Sequence, residues 1–344
     1  MIRQLRRLTR PLPALGPGVA AIAVYSEATP QGMRLRLAAE TGFEGVACFD
    51  DAARLACLYV ALWQRHHVSW ARPAALEMLG FVRAMQMPDG WFANFISDWD
   101  GTKNLVAPTS ADPQGPWLAR ACHALAAAAS AFGDDQCGRA YERALPWLDL
   151  PTPHVDVRAV ALLAALHYHH ATGSGEDARR ATRLATEIFQ SRQAGILPDV
   201  SGSEEVHLWG HLQECALAEA GKVFRCAEWV QAARESADRL LAPAARLAFP
   251  AARTIPFDVS ATVQGLEAVG VAGGGDHYLR LAKLARGWFA GRNAASTPVF
   301  DRRRGTVHDG IDDGRVSANS GAEANIEGGL ALAGPPMLAG SGGS

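Results

Sequence analysis

The sequence predicts an all-α protein, a single (α/α)6 toroid in which six helical hairpins close one ring of helices inside another. Three observations point there. Apolar residues recur with a 3.6-residue period in eleven segments, few alternating runs compete with them, and there is no strict repeat of 34 or 40 residues of the kind an open helical solenoid carries. Residues before Asp50 are expected to supply one or two further turns, bringing the count towards twelve, the number that closes such a ring. The toroid is expected over residues 1–333. The last stretch, PPMLAGSGGS, is small and glycine-rich, so 334–344 is expected to be a flexible tail.

The periodic segments run at 50–66, 73–86, 115–132, 136–147, 155–171, 177–191, 205–220, 223–241, 257–269, 275–291 and 320–333. The first opens with Asp50 and Asp51, and helical spacing puts Asp51 on the stripe of Leu55, Leu58 and Leu62. A carboxylate on an inward face needs a reason. Asp50 is equally accounted for as a cap on the orphan amides of the first turn, with Arg54 four residues on to pair with it, but a cap needs only one of the two acids. Later segments are alanine-rich, as in LARACHALAAAASAF and RAVALLAALHYHH, which favours helix and close helix–helix approach. The histidines that end the latter suit the negative end of a helix dipole and read as structural.

Composition excludes several classes. Hydrophobic residues make up 49% and charged residues 20% of the 344, which fits a globular chain with a sizeable core. The formal net charge of −2, with basic residues scattered, leaves no footprint for nucleic acid. Six cysteines form no Cys-x-x-Cys pair and mostly sit among Ala, Leu and Val, as reduced thiols of a cytoplasmic protein do. Prolines and glycines at 11–18 break the apolar stretch after the basic N-terminus, so no export signal is expected, and no run is long enough to span a bilayer.

Three long stretches between helices carry the chemistry. Pro88 to Gly115 holds Trp91, Asn94, Asp98, Trp99 and Asp112; Gly195 to His211 holds His207, Trp209 and His211; Trp288 to Glu327 holds His308, Asp309, Asn319 and Glu323. In a toroid, the loops of one face converge on a central funnel, so these side chains are expected to meet. Flat aromatics beside carboxylates and amides suit carbohydrate, whose rings have an apolar face and a rim of hydroxyls. Glycosidic cleavage adds the need for two carboxyl groups, one acid and one base or nucleophile.

The catalytic candidates are Asp50, Asp51, Asp98, Asp112, Asp309 and Glu323. The sugar-contacting candidates are Trp91, Asn94, Trp99, His207, Trp209, His211, Asp258, His308 and Asn319. Plain structural roles compete: turn residues for Asp98, Asp112 and Asp309, a first-turn acid for Glu323. His207 and His211 stand four apart but lack the His-Glu-x-x-His pattern, so no metal or cofactor is expected.

The stretches VACFDDAARLACLYVAL, FANFISDWDG, SADPQGPWLARACHAL, WFAGRN, PVFDRRRGTVHDGI and NSGAEANIEGGLAL resemble a family of bacterial six-hairpin glycosidase-like proteins, often encoded beside sugar-nucleotide glycosyltransferases. The resemblance runs from about Leu8 to Leu332. It implies the toroid fold, a carbohydrate ligand, an association with a glycosyltransferase pathway, and polar signature positions at Asp50, Asp51, Asn94, Asp98, Asp112, Asp309, Asn319 and Glu323. This chain departs from the family at Asp98-Trp99-Asp100-Gly101 and at SEEVHLWGH. The leading reading is a glycoside hydrolase. The others are a sugar-binding accessory protein, a sugar epimerase using two of His207, His211 and His308, and a terpenoid cyclase suggested by QMPDGWF at 86–92. Acids that all cap helices or pair with arginines would favour the binding protein; two imidazoles meeting across the funnel would favour the epimerase.

Overall fold

The computed structural model describes residues 1–35 and 44–338. Its thirteen described α-helices are α1 (Ile2–Leu8), α2 (Phe49–His66), α3 (Ala71–Met85), α4 (Trp117–Phe132), α5 (Asp135–Leu148), α6 (Val155–Thr172), α7 (Gly175–Gln190), α8 (Gln213–Phe224), α9 (Ala227–Arg239), α10 (Leu241–Arg246), α11 (Pro256–Val269), α12 (Asp276–Arg286) and α13 (Ala322–Ala333). Six of them, α2, α4, α6, α8, α11 and α13, pack each on the next, and α13 returns to α2 to close an inner ring. The others stand outside, each against its inner partner, with α1 taking the place beside α13.

Polarity explains who stands where. The inner helices are apolar on most sides, as α6 shows with Val155 and every residue from Ala159 to Tyr168 buried, whereas α7 buries only a stripe formed by Asp177, Arg180, Ala181, Leu184, Ala185 and Ile188. Links from inner to outer helix are short: residues 67–70, 133–134, 173–174 and 225–226. The four inner helices before them end on a left-handed residue, His67, Gly133, Gly173 or Arg225, which satisfies their last carbonyls and turns the chain sharply. Most returns at the other end are long, at 86–116, 191–212, 247–255 and 287–321, so the predicted loop face exists and lies over the N-termini of the inner helices.

Short strands stitch that face together. Phe95–Ile96 pairs with Ala47–Cys48, pinning the first long loop over the start of α2. Arg253–Thr254, Ile311–Asp312 and Arg315–Val316 form a three-stranded sheet that joins the loops before α11 and α13. Gly310, at φ 144° and with no room for a Cβ against the Thr254 carbonyl 2.5 Å away, lets those two loops touch.

The predicted segments hold with local revisions. The segment expected at 205–220 becomes helical only at Gln213, because the residues before it are tied into the Asp199 network described below. That at 223–241 breaks at Leu240, after which the short α10 begins at Leu241 with Pro243 in its first turn, and that at 275–291 tightens after Arg286 into a 3₁₀ turn at Gly287–Ala290. The missing twelfth partner is α1, at the other end of the chain from α13. Residues 334–338, expected as tail, are instead packed: the Gln64 amide exchanges hydrogen bonds with the Met337 backbone (2.9 and 3.2 Å), Arg65 donates to the Pro335 carbonyl (2.7 Å), and Leu338 is buried. Residues 339–344 lie outside the described part.

Candidate functional site

Arg54 is the hub of the loop face. Helical spacing carries it one turn below Asp50 and Asp51, on the inward side of α2, and there it is 8% exposed. Its Nη2 lies 2.7 Å from Asp51 Oδ1 and 3.6 Å from Asp50 Oδ2, its Nη1 2.9 Å from Glu327 Oε1, and both reach Glu323 Oε2 at 3.3 Å. Arg120, from α4, holds Asp50 Oδ2 at 2.6 Å. The Phe257 ring of α11 lies beneath both guanidiniums, 4.9 Å from Arg54 and 5.5 Å from Arg120. Four inner helices thus meet here, bringing four carboxyl groups to two arginines.

That imbalance sets the protonation. Burial raises the Asp51 carboxyl to about 6 and the Glu327 carboxyl to about 7, against the pull of Arg54 in the opposite direction. Glu323 differs, for its side chain is 48% exposed. Asn94 anchors the roof: its Oδ1 accepts from the Asp50 amide (3.3 Å) and its Nδ2 donates to the Thr109 carbonyl (3.1 Å).

Two further acids flank Glu323. Asp258, in the first turn of α11, accepts from the Ile255 amide at 2.7 Å, and Asp309 accepts from the Gly321 amide at 2.6 Å. Burial raises each to about 6, and the charge of Glu323 adds to both shifts. Asp309 also borders a cavity of about 790 Å³ shared with Arg253 and Arg315.

The second long loop builds a separate buried network. His211 has no exposed surface; its Nδ1 lies 2.8 Å from Asp199 Oδ1 and its Nε2 3.0 Å from Glu214 Oε2. Ser236 donates to Glu214 (2.5 Å) and Gln213 to Asp199 (2.9 Å). Burial opposes the His211 charge, yet Glu214 and Asp199 outweigh it and raise the imidazole to about 10. His211 is therefore a fixed cation at neutral pH and cannot accept a proton. Asp199 also takes the His207 amide (2.6 Å), which leaves the His207 ring 3.6 Å from Asp199 Oδ2 and stacked 3.8 Å from the Trp209 ring. Trp209 is exposed.

The remaining candidates sit apart from the hub. Asp98 accepts from the Trp99 amide (2.7 Å) and Asp112 from the Gln114 amide (2.9 Å), both as exposed turn residues. Trp99 lies 5.1 Å from the Arg10 guanidinium, and Trp91 packs on the core near α3. Asn319 accepts the Asp309 amide through its carbonyl (3.0 Å) and donates its side-chain amide to the Tyr25 hydroxyl. His308 is fixed through its backbone to Val299 (3.0 Å), and no bond or ring contact among the described residues joins it to His207 or His211. The two imidazoles that do meet share Asp199 from one loop and do not face each other across the funnel. In QMPDGWF, Gln86 ties the end of α3 to the Ala140 carbonyl and Arg143, a structural duty on the outer ring.

Sequence reading missed Arg120, Glu327, Asp199, Glu214 and Phe257. A signal existed for Glu327, which stands one helical turn after Glu323 on the same face. None existed for Arg120, whose partner lies seventy residues away. Among the described residues, no helix is long and apolar enough to cross a membrane, and no group of three or more His, Cys, Asp or Glu could hold a metal ion.

No protein-family model and no curated protein matches the sequence. Solved structures share the six-hairpin (α/α)6 fold at low identity. A sugar epimerase from a ruminal bacterium matches with a TM-score of 0.69 and 11% identity, covering 98% of this chain and 96% of its own. A D-mannose isomerase matches at 0.68 and 10%, covering 96% and 94%. An inactive α-1,6-mannanase of Salegentibacter sp. HEL1_6, changed from Asp to Asn at two adjacent positions and bound to α-1,6-mannotriose, matches at 0.64 and 10%, covering 98% and 97%.

Proposed function

We propose that this protein is a carbohydrate-active enzyme of the glycoside hydrolase type, acting on an oligo- or polysaccharide at the mouth of the inner ring. The observation that carries the reading is a half-exposed carboxylate, Glu323, between two largely covered acids, Asp258 and Asp309, that burial raises to about 6. Glycosidic cleavage takes one carboxyl that arrives protonated and one that arrives ionised. Asp258 or Asp309 donates its proton to the leaving oxygen. Glu323, facing Arg54, acts on the anomeric carbon directly or through a water. The stacked His207 and Trp209 rings offer a platform for a sugar face, and the sugar-acting structures that share the fold support the substrate class. Location in the cytoplasm and service to a glycosyltransferase pathway belong to the same proposal and rest on the sequence.

A second reading, sugar binding without turnover, is favoured by the partners of the acids: Asp50, Asp51 and Glu323 pair with arginines, Asp258 and Asp309 accept from the amides that begin α11 and α13, and Asp98 and Asp112 close turns. The mannanase neighbour is inactive with two adjacent aspartates changed, whereas the adjacent pair here, Asp50 and Asp51, is already engaged by Arg120 and Arg54. The test is release of reducing ends from a panel of neutral oligosaccharides by the wild type and by Glu323→Gln, Asp258→Asn and Asp309→Asn. Turnover that falls about 10²- to 10⁴-fold in Glu323→Gln with sugar binding retained supports the hydrolase. Binding without turnover in the wild type supports the second reading. Deuterium entering the free sugar at C2 in heavy water would instead mark an epimerase or isomerase.

A further inference from the structure

We infer that a second saccharide-binding site lies on the outer wall, in a trough where α1 and α3 meet the segment 9–20, away from the loop face. A hollow of about 480 Å³ opens there beside Trp70, within the size range of small-ligand pockets. Its floor is Tyr59, a side chain of α2 that is 3% exposed and whose hydroxyl makes no hydrogen bond among the described residues. Burial pushes that phenol up, so it stays protonated and free to donate or accept. The ring is buried, but the hydroxyl is not among the covered polar atoms that lack a partner, so it opens onto the hollow, where a ligand can reach it.

Two ionic groups flank the hydroxyl. Arg6 lies with its guanidinium 4.7 Å from the Trp70 ring centroid, and Glu77 stands on α3; both sense Tyr59 electrostatically, and neither forms an ion pair among the described residues. One donor-only cation, one acceptor-only anion and one hydroxyl match a ligand that is neutral and carries both donors and acceptors. An anionic ligand would face Glu77 and a cationic one Arg6. Prolines and Met78 supply the apolar remainder. A sugar ring has that combination, an apolar face with a rim of hydroxyls.

The site is longer than one ring. Through Pro17, Pro73 and Glu77 the hollow continues into another of about 650 Å³, which runs on through Arg83 and Arg139 into a third of about 580 Å³ on α5. A continuous trough fits a chain of several sugars. The assignment to saccharide, rather than another neutral polar chain, rests on the carbohydrate reading of the funnel.

The test is calorimetric titration of the full chain with cellohexaose, maltohexaose and mannohexaose, alongside Tyr59→Phe and Glu77→Ala, with Glu323→Gln as the funnel control. Tyr59→Phe removes one oxygen that holds nothing in the fold. A biphasic isotherm in which Tyr59→Phe weakens one phase about five- to tenfold, with turnover of a small aryl glycoside unchanged, supports the site. A single phase that responds to Glu323→Gln and ignores Tyr59→Phe and Glu77→Ala overturns it and leaves the funnel reading standing. So does a trough whose variants change only self-association, which would make it an interface between copies. Absence of binding by all three sugars, in trough and funnel alike, overturns both readings.

Discussion

Removing the Arg54 hub should destabilise the fold by an amount that grows with pH. In Arg54→Met, the methionine keeps much of the packing volume while Asp51 and Glu327 lose their partner in a buried site. Neither carboxyl can then ionise without water, so both stay protonated in the folded state. In the wild type Asp51 gives up its proton at about 6 and Glu327 at about 7. Below pH 6 the two proteins therefore bind nearly the same protons, and the substitution costs about 1 kcal/mol in lost hydrogen bonds. Above those values each retained proton costs about 1.4 kcal/mol per pH unit. At pH 8.5 that amounts to about 3 kcal/mol for Asp51 and about 2 kcal/mol for Glu327, ~5 kcal/mol together, within the range measured for breaking a buried ion pair. Urea unfolding followed by far-UV circular dichroism at pH 6 and 8.5 reads the difference. The double variant Arg54→Met/Glu327→Gln should lose the Glu327 share of the slope. Equal destabilisation at the two pH values would refute the reasoning and assign the loss to packing.

Other outcomes follow from the same geometry. His211 is raised to about 10, so the stability it brings is complete below the unfolded value near 6.5 and is lost as pH rises through 10; the melting temperature should fall across that window, and His211→Gln should flatten the fall while lowering the whole curve. If Asp258 or Asp309 is the acid, turnover should decline as pH rises through about 6, and the Asp→Asn change at the true acid should abolish that limb of the profile. His67 and Arg225 hold left-handed backbone at helix ends, at φ 52° and 54°, where glycine is unstrained; His67→Gly and Arg225→Gly should each raise stability by about 0.5–1 kcal/mol in thermal or urea unfolding.

The toroid was legible because its signal is local. Helical periodicity and alanine content are written within each segment, and the long stretches at 88–115, 195–211 and 288–327 announced a loop face by length alone. The inward position of Asp51 was readable for the same reason, since one stripe on one helix fixes it. What the hub does with Asp51 was not, because Arg54 is shared with Glu323 and Glu327, 269 and 273 residues away, and Arg120 takes Asp50 from 70 residues away. The histidines illustrate the opposite error. Spacing suggested a proton-transfer or ligand pair at His207 and His211, but the deciding facts are Asp199 and Glu214 on either side of one ring, and those depend on tertiary packing. The first long loop is read by composition as sugar-contacting; in three dimensions Asp98 and Asp112 accept hydrogen bonds within its turns and Trp91 and Trp99 pack on the core, placements that composition does not carry.

The pairing of α1 with α13 bears on how the ring is assembled. Gln4 donates to the Ser320 carbonyl at 3.0 Å, a contact between residues 316 apart along the chain. Bringing the ends of so long a loop together costs about 5 kcal/mol of chain entropy in an otherwise unstructured polypeptide. Five hairpins form from neighbouring segments, but the sixth joins α1 to α13, more than 300 residues along the chain. α1 can therefore dock only once α13 has formed, and the ring latches in that step. Amide exchange in the native protein should find α1 opening before any inner helix, with the rest of the ring still closed around the place it left.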